Sequence, residues 1–418
     1  MKLSVLLPVY NAGDLLARAI ESILKQEFAD FEFIIIDDAS KDDSAKVIRE
    51  FANRDPRIKP IFHEKNAGLS ATLNEGLALA STPYVARMDQ DDESLPARLG
   101  TQYDFVKDKP RLAVVGSFVY HMGITPSHDT LVRLPVSPTE IARQLESTNC
   151  LYHPSVIMNR AMVLKAGGYR EQFKNAEDYD LWLRLRKVHE LENIPTPLLR
   201  YNFTIDGMTL GRKWEQSRYA FLAQEANRSF RRSWARIEQI ANDRYTRQDK
   251  TIFLNHVLLG NVSELLRLGR TDEAQRLTER LCGEVFSDFS DPVVSWVESL
   301  EKDQREKMMS HYSGLKKGVE TISDHLDHAL TLNGIEGEST SEQSQAIEAL
   351  LQEIAAFEPT VWAAQCELDD IRRSEWNRSL RDLSNSLWTL RRKVRGRVGA
   401  FYWSVRAKVL GLYYRHFK

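Results

Sequence analysis

The segment that decides the fold is Phe33-Ile34-Ile35-Ile36-Asp37-Asp38-Ala39-Ser40. Its first half is apolar at every position, which is typical of a parallel strand that is covered on both faces. Short β-rich runs alternate with helical patterns through the first two hundred residues, which predicts an α/β sheet with crossover helices. The predicted strands are Leu3–Pro8, Phe33–Asp37, Ile58–His63, Tyr84–Asp89 and Ala113–Ser117, and the predicted helices are Leu15–Gln26, Ser44–Phe51, Ser70–Ala80 and Pro96–Val106.

The composition is that of a folded chain with several domains. Of its 418 residues, 42% are hydrophobic and 28% are charged, which excludes a disordered or fibrous protein. The net charge of -2 gives no nucleic-acid signature. We find no run of about 18 apolar residues and no signal-peptide pattern at the start. The cysteines Cys150, Cys282 and Cys366 form no C-x-x-C pair, so we interpret them as reduced thiols of a cytosolic protein.

The charge is unevenly distributed along the chain. From Arg372 to Lys418 there are 13 Lys and Arg against two acids, a net charge of +11, so residues 1–371 carry -13. After Gly211 the strand-like runs disappear, Leu258–Leu281 predicts a helical hairpin, and Gly334–Gln345 predicts a flexible linker. We therefore predict an α/β domain over 1–210, an all-α domain over 211–371 and a basic amphipathic tail helix over 372–418.

Polar and acidic residues follow three of the predicted strands, at the sheet edge where ligands bind in open parallel sheets. They are Pro8-Val9-Tyr10-Asn11, Asp37 to Ser40, and Asp89-Gln90-Asp91-Asp92. Asp89 and Asp91 are two residues apart in an extended segment and can face one pocket. Two such hard oxygen ligands beside a diphosphate describe a Mg²⁺ or Mn²⁺ site. The structural alternatives are a charged turn at Asp89 to Asp92 and a helix N-cap at Asp38 or Ser40.

Two further motifs lie where helices are predicted to begin. In Asn66-Ala67-Gly68-Leu69-Ser70, Gly68 permits a turn, and the helix either is capped by Asn66 or Ser70 or begins beside a nucleotide. Glu177 and Asp178 open an amphipathic helix, where acids suit the helix dipole. One of the two carboxylates can instead be a general base, because sugar transfer to a hydroxyl requires removal of a proton.

Taken in order, these motifs resemble those of the family 2 glycosyltransferases with the GT-A fold. More narrowly, they resemble the bacterial members that build O-antigen, capsule or exopolysaccharide. The resemblance covers roughly residues 1–205. It implies a Rossmann-like, mostly parallel GT-A domain and an inverting, metal-dependent single displacement. The donor would be a nucleotide sugar, UDP-linked, and the acceptor a hydroxyl of a lipid-linked glycan on a polyprenyl carrier, in surface polysaccharide biosynthesis.

The resemblance also implies a role for each motif. The nucleotide would be held by Pro8, Val9, Tyr10, Asn11, Asn66, Gly68 and by Asp37 or Asp38, one of which accepts from uracil. Arg87 would lie near the diphosphate, Asp89 would face the ribose and donor sugar with a second metal contact, and Asp91 would ligate Mg²⁺ or Mn²⁺. Asp178 would be the catalytic base and Glu177 would shape the acceptor site. His153, in His153-Pro154-Ser155, is either a further metal or acceptor contact or a structural histidine.

One element departs from the family pattern. Relatives often carry a Tyr-Arg-x-His-like element after the base helix, whereas this chain has Tyr201-Asn202-Phe203-Thr204. The absence of the Arg and the His puts in doubt a diphosphate or metal contact from that loop.

The sequence of the basic C-terminal tail, residues 372–418, predicts a separate binding partner, a membrane surface. One apolar stripe runs along a helix from about 379 to 417, through Leu387, Leu390, Val394, Val398, Phe401, Val405, Val409 and Leu412. Basic and aromatic residues flank it, which is the pattern of a helix in an anionic membrane surface. The alternative is a helix packed on its own domain. We expect a cytoplasmic enzyme held peripherally on the inner face of the cytoplasmic membrane, with self-association left open.

A second class of function is a non-catalytic assembly protein of a polysaccharide-synthesis complex that binds a nucleotide sugar. A nucleotidyltransferase is set aside, because Pro8 to Gly13 lacks the glycine-rich, basic phosphate loop that such enzymes need after the first strand.

Overall fold

The computed structural model describes residues 1–203, 213–228, 233–244, 261–280 and 345–356, and eight single positions between 310 and 325. The predictions for the linker Gly334–Gln345 and the tail over 372–418 lie outside these residues, apart from residue 345 itself. Cys150 is a buried free thiol, whereas Cys282 and Cys366 lie outside the described part. The three domain boundaries stay predictions.

The described part is built on one nine-stranded sheet. Its spatial order is β3-β2-β1-β4-β8-β6-β9-β5, with β7 paired to β6. The strands are β1 Leu3–Val9, β2 Phe31–Asp37, β3 Ile58–Phe62, β4 Tyr84–Arg87, β5 Glu93–Ser94, β6 Leu112–His121, β7 Thr130–Val132, β8 Ile157–Asn159 and β9 Glu190–Tyr201. The helices between them are α1 Leu15–Leu24, α2 Ser44–Ala52, α3 Leu69–Leu79, α4 Arg98–Val106, α5 Pro138–Gln144, α6 Arg160–Lys165 and α7 Glu177–Leu185.

The first four strands form the parallel half that the sequence predicts. β1 pairs with β2 on one side and with β4 on the other, and β2 pairs with β3, all in parallel. Along β2, Ile34 and Ile36 belong to one hydrophobic core and Phe33 and Ile35 to the other. The sheet is therefore covered on both faces, as the apolar run of this strand predicts.

The second half of the sheet is mixed. Strand β8 lies between β4 and β6 and is antiparallel to both, so β6 does not pair directly with β4. β9 runs parallel to β6 with several register shifts, and β5 pairs with its end in antiparallel fashion. The result is a mixed α/β GT-A sheet, in which the crossover pattern predicted from the sequence holds for the first half.

The register brings the predicted motifs to one edge. Val9 pairs with Asp37, and Leu6 pairs with Arg87, so β1, β2 and β4 end side by side. The segments that follow these strands therefore start from neighbouring points, which is what the sheet-edge argument requires.

Helices follow the sheet in the described part of the chain. They are α8 Lys213–Arg228, α9 Trp234–Arg244 and α10 Thr271–Arg280. A shorter helix over 261–267 precedes α10, and the two are joined by a turn at Gly269, whose φ is +69°. This confirms the predicted helical hairpin, and we refer to residues 261–280 as the hairpin.

Candidate active site

The loops after β1 and β2 are tied together by hydrogen bonds. The Asn11 N–H donates to Ser40 Oγ at 2.9 Å, and the Lys41 N–H donates to Asn11 Oδ1 at 2.7 Å. Asn11 and Ala39 both have positive φ, 49° and 62°. A left-handed alanine is uncommon and costs conformational energy, so the surrounding bonds must hold this turn.

Asp38 organises the loop that precedes α3. Its carboxylate accepts from the N–H groups of Ala67 and Gly68 at 2.7 and 2.9 Å, and it bonds to His63 Nδ1 at 2.7 Å. Burial raises the pKa of Asp38, but these bonds outweigh it and lower the pKa below its ordinary value. Asp37 makes one longer bond, from the Ser40 N–H at 3.3 Å. Of the two, Asp38 is therefore the one committed to holding the loop.

The helix caps that the sequence left open as structural alternatives at this edge are not found. The residue before α2 is Asp43, not Asp38 or Ser40, and the N-cap of α3 is Gly68, with φ of +88° and no side-chain cap. Asn66 instead donates through Nδ2 to the Asp38 carbonyl at 3.2 Å. The turn before α3 has a positive φ that glycine adopts readily. The side chain of Asn66 joins this turn to the loop after β2.

Three carboxylates follow β4. Oxygens of Asp89, Asp91 and Asp92 all lie within 4.8 Å of one another. This confirms that Asp89 and Asp91 face one place and adds Asp92, which is 1% exposed. Asp92 Oδ1 accepts from the Asn202 N–H at 2.8 Å, whereas Oδ2 has no hydrogen-bond partner in the described part of the chain. We refer to these three residues as the acidic cluster.

The acidic cluster carries more negative charge than its surroundings compensate. Burial, and next the charge of Asp89, raise the pKa of Asp91 to about 6. Burial and the charges of Asp91 and Asp89 raise the pKa of Asp92 well above its ordinary value. Hard oxygen ligands in this number, with one buried oxygen left without a partner, fit a divalent cation such as Mg²⁺ or Mn²⁺.

Arg87 ends β4 beneath this cluster. It is 2% exposed, its guanidinium forms an ion pair with Asp89, and its Nε has no hydrogen-bond partner among the described residues. The pKa values of Asp91 and Asp92 are raised overall, and the positive charge of Arg87 opposes this rise. The same charge opposes the rise in the pKa of Glu177 and Asp178. One buried cation is thus shared by the acidic cluster and the carboxylates of α7.

Glu177 and Asp178 occupy the first turn of α7, as the sequence predicts. Asp178 accepts from Asn149 Nδ2 at 2.8 Å and from the Tyr179 N–H at 2.7 Å. Burial, and next the charge of Asp178, raise the pKa of Glu177 to about 8, and burial also raises the pKa of Asp178. Near neutral pH, Glu177 therefore keeps its proton, whereas the bonds from Asn149 and Tyr179 lower the pKa of Asp178 against the effect of burial.

Similarity to known sequences identifies the family of this chain. A family model described as Glycosyl transferase family 2 matches residues 4–168. The amylovoran biosynthesis glycosyltransferase AmsE of Erwinia amylovora is 32% identical over 50% of this chain and 80% of its own length. The chain belongs to glycosyl transferase family 2. The O-antigen biosynthesis glycosyltransferase WbnJ of Escherichia coli is 33% identical over 46% of this chain and 74% of its own. The putative glycosyltransferase EpsE of Bacillus subtilis is 35% identical over 44% and 66%.

Family membership confirms that the chain is a glycosyltransferase with a GT-A domain. Among the residues that the structure describes, no helix of this family 2 glycosyltransferase combines the length and apolar character needed to cross a membrane.

In this family 2 glycosyltransferase, the loop after β1 is joined to the loop after β4 by Gln90, a residue to which the sequence pattern assigns no role. Gln90 Oε1 accepts from the Tyr10 N–H at 2.8 Å, and Gln90 Nε2 donates to the Tyr10 carbonyl at 3.2 Å. Arg18, on α1, donates to the Asp91 carbonyl at 3.1 Å. In the sequence, Gln90 is distinguished only by its position between Asp89 and Asp91. That position does not predict its hydrogen bonds to the backbone of Tyr10.

His153 lies outside the acidic cluster. It is 8% exposed, and its Nε2 lies 2.8 Å from the hydroxyl of Tyr169. Burial, and next the charge of Arg87, lower its pKa well below the ordinary value. A neutral imidazole in this setting serves as a buried hydrogen-bonding group, in agreement with the structural alternative.

The segment Tyr201-Asn202-Phe203, which differs from the family pattern, contacts both the acidic cluster and the hairpin. The Asn202 N–H holds Asp92, and the Phe203 carbonyl accepts from the guanidinium of Arg270 in the hairpin. Arg200, just before it, bonds to Asp129 Oδ2 at 2.6 Å and pairs with Glu93 at 2.5 Å. This segment therefore contributes Asn202 to the acidic cluster, through its backbone N–H on Asp92 and through a side-chain hydrogen bond to Asp91, which opposes the rise in the pKa of Asp91.

Asp180 anchors the helix that carries the two acids. It is fully buried and accepts from Arg170 Nε at 2.9 Å, Arg184 Nε at 3.0 Å and Asn227 Nδ2 at 3.0 Å. Asn227 belongs to α8, so this carboxylate also joins α7 to the helix that packs on it. The sequence pattern does not predict this role, because the partners Arg170 and Asn227 lie outside α7.

We expect Asp180→Asn to lower the free energy of unfolding by about 3–5 kcal/mol, because removing one partner leaves buried charges uncompensated. The measurement is urea unfolding followed by circular dichroism. Asp104→Asn is the matched control, since Asp104 is an exposed carboxylate paired with Lys107 and should cost no more than about 1 kcal/mol. Equal shifts for the two variants would contradict the anchoring role of Asp180.

Proposed function

We propose that this protein is an inverting, metal-dependent glycosyltransferase that moves a sugar from a nucleotide sugar, UDP-linked, to a hydroxyl of a lipid-linked glycan. The observation that carries the proposal is the convergence of two carboxylate groups on Arg87. The acidic cluster contacts this arginine through Asp89, and the charge of the same guanidinium acts on Glu177 and Asp178. A donor and an acceptor bound between these groups would meet at one place.

The roles within the site follow from these surroundings. Asp91, with Asp89 as a second contact, would hold Mg²⁺ or Mn²⁺, which when bound supplies positive charge against the leaving diphosphate. Arg87 is buried and paired with Asp89, so its role is to hold that carboxylate and to add charge near the diphosphate. Asp178 removes the proton of the acceptor hydroxyl, and the protonated Glu177 beside it shapes the acceptor site.

The nucleotide would lie over the ends of β1 and β2. The tied loops there present Pro8, Val9, Tyr10 and Asn11 on one side and Asn66 and Gly68 on the other. Asp38 is occupied by the N–H groups of Ala67 and Gly68, so Asp37 is the better acceptor for the imide N–H of uracil. This complementarity supports a UDP-linked donor.

The acceptor proposal rests on relatives and on the tail. AmsE and WbnJ carry the names of amylovoran and O-antigen biosynthesis, which supports a role in surface polysaccharide biosynthesis. The sequence of the tail predicts a cationic helix with one apolar stripe, which suits an enzyme whose acceptor sits on a membrane lipid. We place the protein at the cytoplasmic face of the membrane on that basis.

Truncation after Asp370 should leave transfer to a soluble acceptor analogue intact and weaken transfer to a lipid-linked acceptor in vesicles. Each Lys or Arg near an anionic surface contributes about 1 kcal/mol, and salt screens this attraction. Vesicle sedimentation of the full-length protein should therefore show binding that decreases with added salt and with neutral lipid. Absence of sedimentation, or unfolding of the truncated chain, would assign the stripe to an internal or oligomeric interface.

The experiment that tests the proposed function is a donor screen. Release of nucleoside diphosphate is measured with several nucleotide sugars, with and without lipid-linked acceptors, in Mn²⁺ or Mg²⁺. We expect acceptor-dependent release of UDP and labelled sugar on the acceptor. Tight nucleotide-sugar binding without transfer from any donor would favour a non-catalytic assembly protein.

A further inference from the structure

The hairpin contacts the sheet at the ends of β6 and β9. The Ile124 N–H donates to the Leu268 carbonyl at 2.9 Å. At the turn of the hairpin, a Cβ on Gly269 would come within 3.1 Å of the Ile124 and His128 side chains, which would have to shift, and the φ of +69° also favours glycine. The interior of the hairpin is apolar, with Val262, Leu265 and Ala274 fully buried. The hairpin is thus seated on the sheet by backbone contact and close packing.

His121 makes a second connection between the hairpin and the sheet. Its Nδ1 lies 2.9 Å from Glu264 Oε1 of the hairpin, and its Nε2 lies 2.8 Å from the hydroxyl of Tyr152. Its ring stacks on Phe203, with ring centroids 5.0 Å apart and planes at 24°. The ring of Phe203 is therefore held by a histidine that the hairpin itself positions.

Arg270 makes the third connection, on the backbone of the same residue. It lies at the start of α10 with 12% of its side chain exposed, and its guanidinium donates to the Phe203 carbonyl. Arg270 Nε also donates to Glu273 at 2.7 Å, which fixes the orientation of the guanidinium. The hairpin thus holds both the ring and the carbonyl of Phe203.

One residue earlier, the backbone reaches the acidic cluster. The Asn202 N–H donates to Asp92 Oδ1 at 2.8 Å, and Asp92 is one of the three carboxylates that lie within 4.8 Å of each other. The path from the hairpin to Asp92 therefore consists of Arg270, Phe203 and Asn202, each joined to the next by a covalent bond or a hydrogen bond.

We propose that the hairpin is a positioning element for the acidic cluster and that Arg270, by holding the Phe203 carbonyl, keeps the Asn202 N–H on Asp92. This inference rests on the proposed function, in which the cluster binds a divalent cation. Arg270 is a positioning residue, because it acts through the backbone and touches none of the three carboxylates in the contacts described above.

The test uses the full-length protein with Arg270→Ala, Arg270→Lys and the control Arg276→Ala. Arg276 lies on the same helix α10 and is exposed. Within the described part of the chain, its Nε donates to the Asp272 carbonyl of the same helix at 3.4 Å. Hydrogen exchange of the peptide that covers Tyr201 to Phe203 is measured by mass spectrometry. Binding of Mn²⁺ alone is measured by calorimetry, and kcat and KM for the donor are measured separately.

We expect Arg270→Ala to accelerate exchange of this peptide and to weaken Mn²⁺ binding by about 3–10-fold, less than the roughly 10–100-fold for losing a direct partner of a metal ligand, because Arg270 acts through the backbone. Arg270→Lys should restore part of both effects, since lysine keeps the charge and one donor. Arg276→Ala should match the wild type. The kcat of Arg270→Ala should fall more than its KM rises, whereas general loss of structure would change thermal stability without this pattern.

Unchanged exchange in Arg270→Ala would overturn the proposal, as would faster exchange with unchanged Mn²⁺ affinity. If Arg270→Ala does not fold, Arg270→Lys decides between the same outcomes. Failure of the proposed function is distinguishable: a wild-type protein that binds no Mn²⁺ would refute the metal site, and equal exchange in Arg270→Ala and Arg276→Ala would refute the hairpin's role.

Discussion

Replacing Asp178 with Asn should lower turnover by about 10²–10⁴-fold and leave donor affinity nearly intact. The substitution nearly keeps the shape, but its single amide oxygen can accept from only one of the two donors, Asn149 and Tyr179, that the two carboxylate oxygens of Asp178 serve. Burial raises the pKa of Asp178, which makes this carboxylate a stronger base than an exposed one. The measurement is kcat with saturating acceptor. The dissociation constant of the donor is measured beside kcat, so that loss of the base is separated from a local rearrangement.

Glu177→Gln is the matched control for this result. The pKa of Glu177 is raised to about 8 by burial and by Asp178, so this side chain is already protonated near pH 7 and the amide changes little. We expect a smaller loss of turnover than for Asp178→Asn. A larger loss in Glu177→Gln would exchange the roles of the two residues.

Asp91→Asn should reduce turnover to below about 1% of the wild type, because the stabilisation that a bound metal ion gives is worth several kcal/mol and each 1.4 kcal/mol or so is a factor of ten. Binding of the nucleotide in EDTA should be the same for the variant and the wild type, since the loops after β1 and β2 are held by their own bonds. Turnover is measured over a Mn²⁺ titration, and nucleotide binding by calorimetry.

Asp104→Asn serves again as the control, as an exposed carboxylate whose partner is the surface residue Lys107. It should keep full turnover and an unchanged Mn²⁺ dependence. Wild-type activity that persists in EDTA would refute the metal-dependent mechanism, whatever the result for Asp91→Asn.

The parallel half of the fold could be predicted because its strands are short, mostly apolar runs that alternate with helical patterns. β2 has two apolar faces and is followed directly by acids, which identifies both the strand and its functional end. Strand β9 was missed because it carries two prolines close together, Pro195 and Pro197, and polar residues in its first half, and because its register shifts break the alternation of side chains. β8 is three residues long, too short to give a periodic signal.

Within the site, carboxylates could be predicted and their partners could not. Asp89, Asp91 and Asp178 stand out because their residue types and spacing have chemical meaning. Asn149 and Asn202 act on Asp178 and Asp92 from distant points of the chain, through contacts that only the tertiary structure creates. The capping alternatives for Asp38 and Asn66 could not be decided from the sequence for the same reason, since both residues bond across loops and not along their own segments.

Arg98 illustrates a residue type that sequence patterns misplace. It is fully buried and donates to the Arg87 carbonyl at 2.6 Å and to Ser94 Oγ at 2.7 Å. Burial lowers its pKa to about 9. An arginine at the start of a helix is ordinarily expected to be exposed to solvent. Only the tertiary structure shows that Arg98 hydrogen-bonds to the last residue of β4.

The central claim is that Asp178 activates the acceptor for a single displacement at the donor sugar. The most direct measurement is the anomeric configuration of the first product, determined by proton NMR at early times with the donor found in the screen. A single displacement predicts the configuration opposite to that of the donor. A product with the donor's own configuration would contradict the account, because it requires a different route from the one that Asp178 and the acidic cluster are proposed to support.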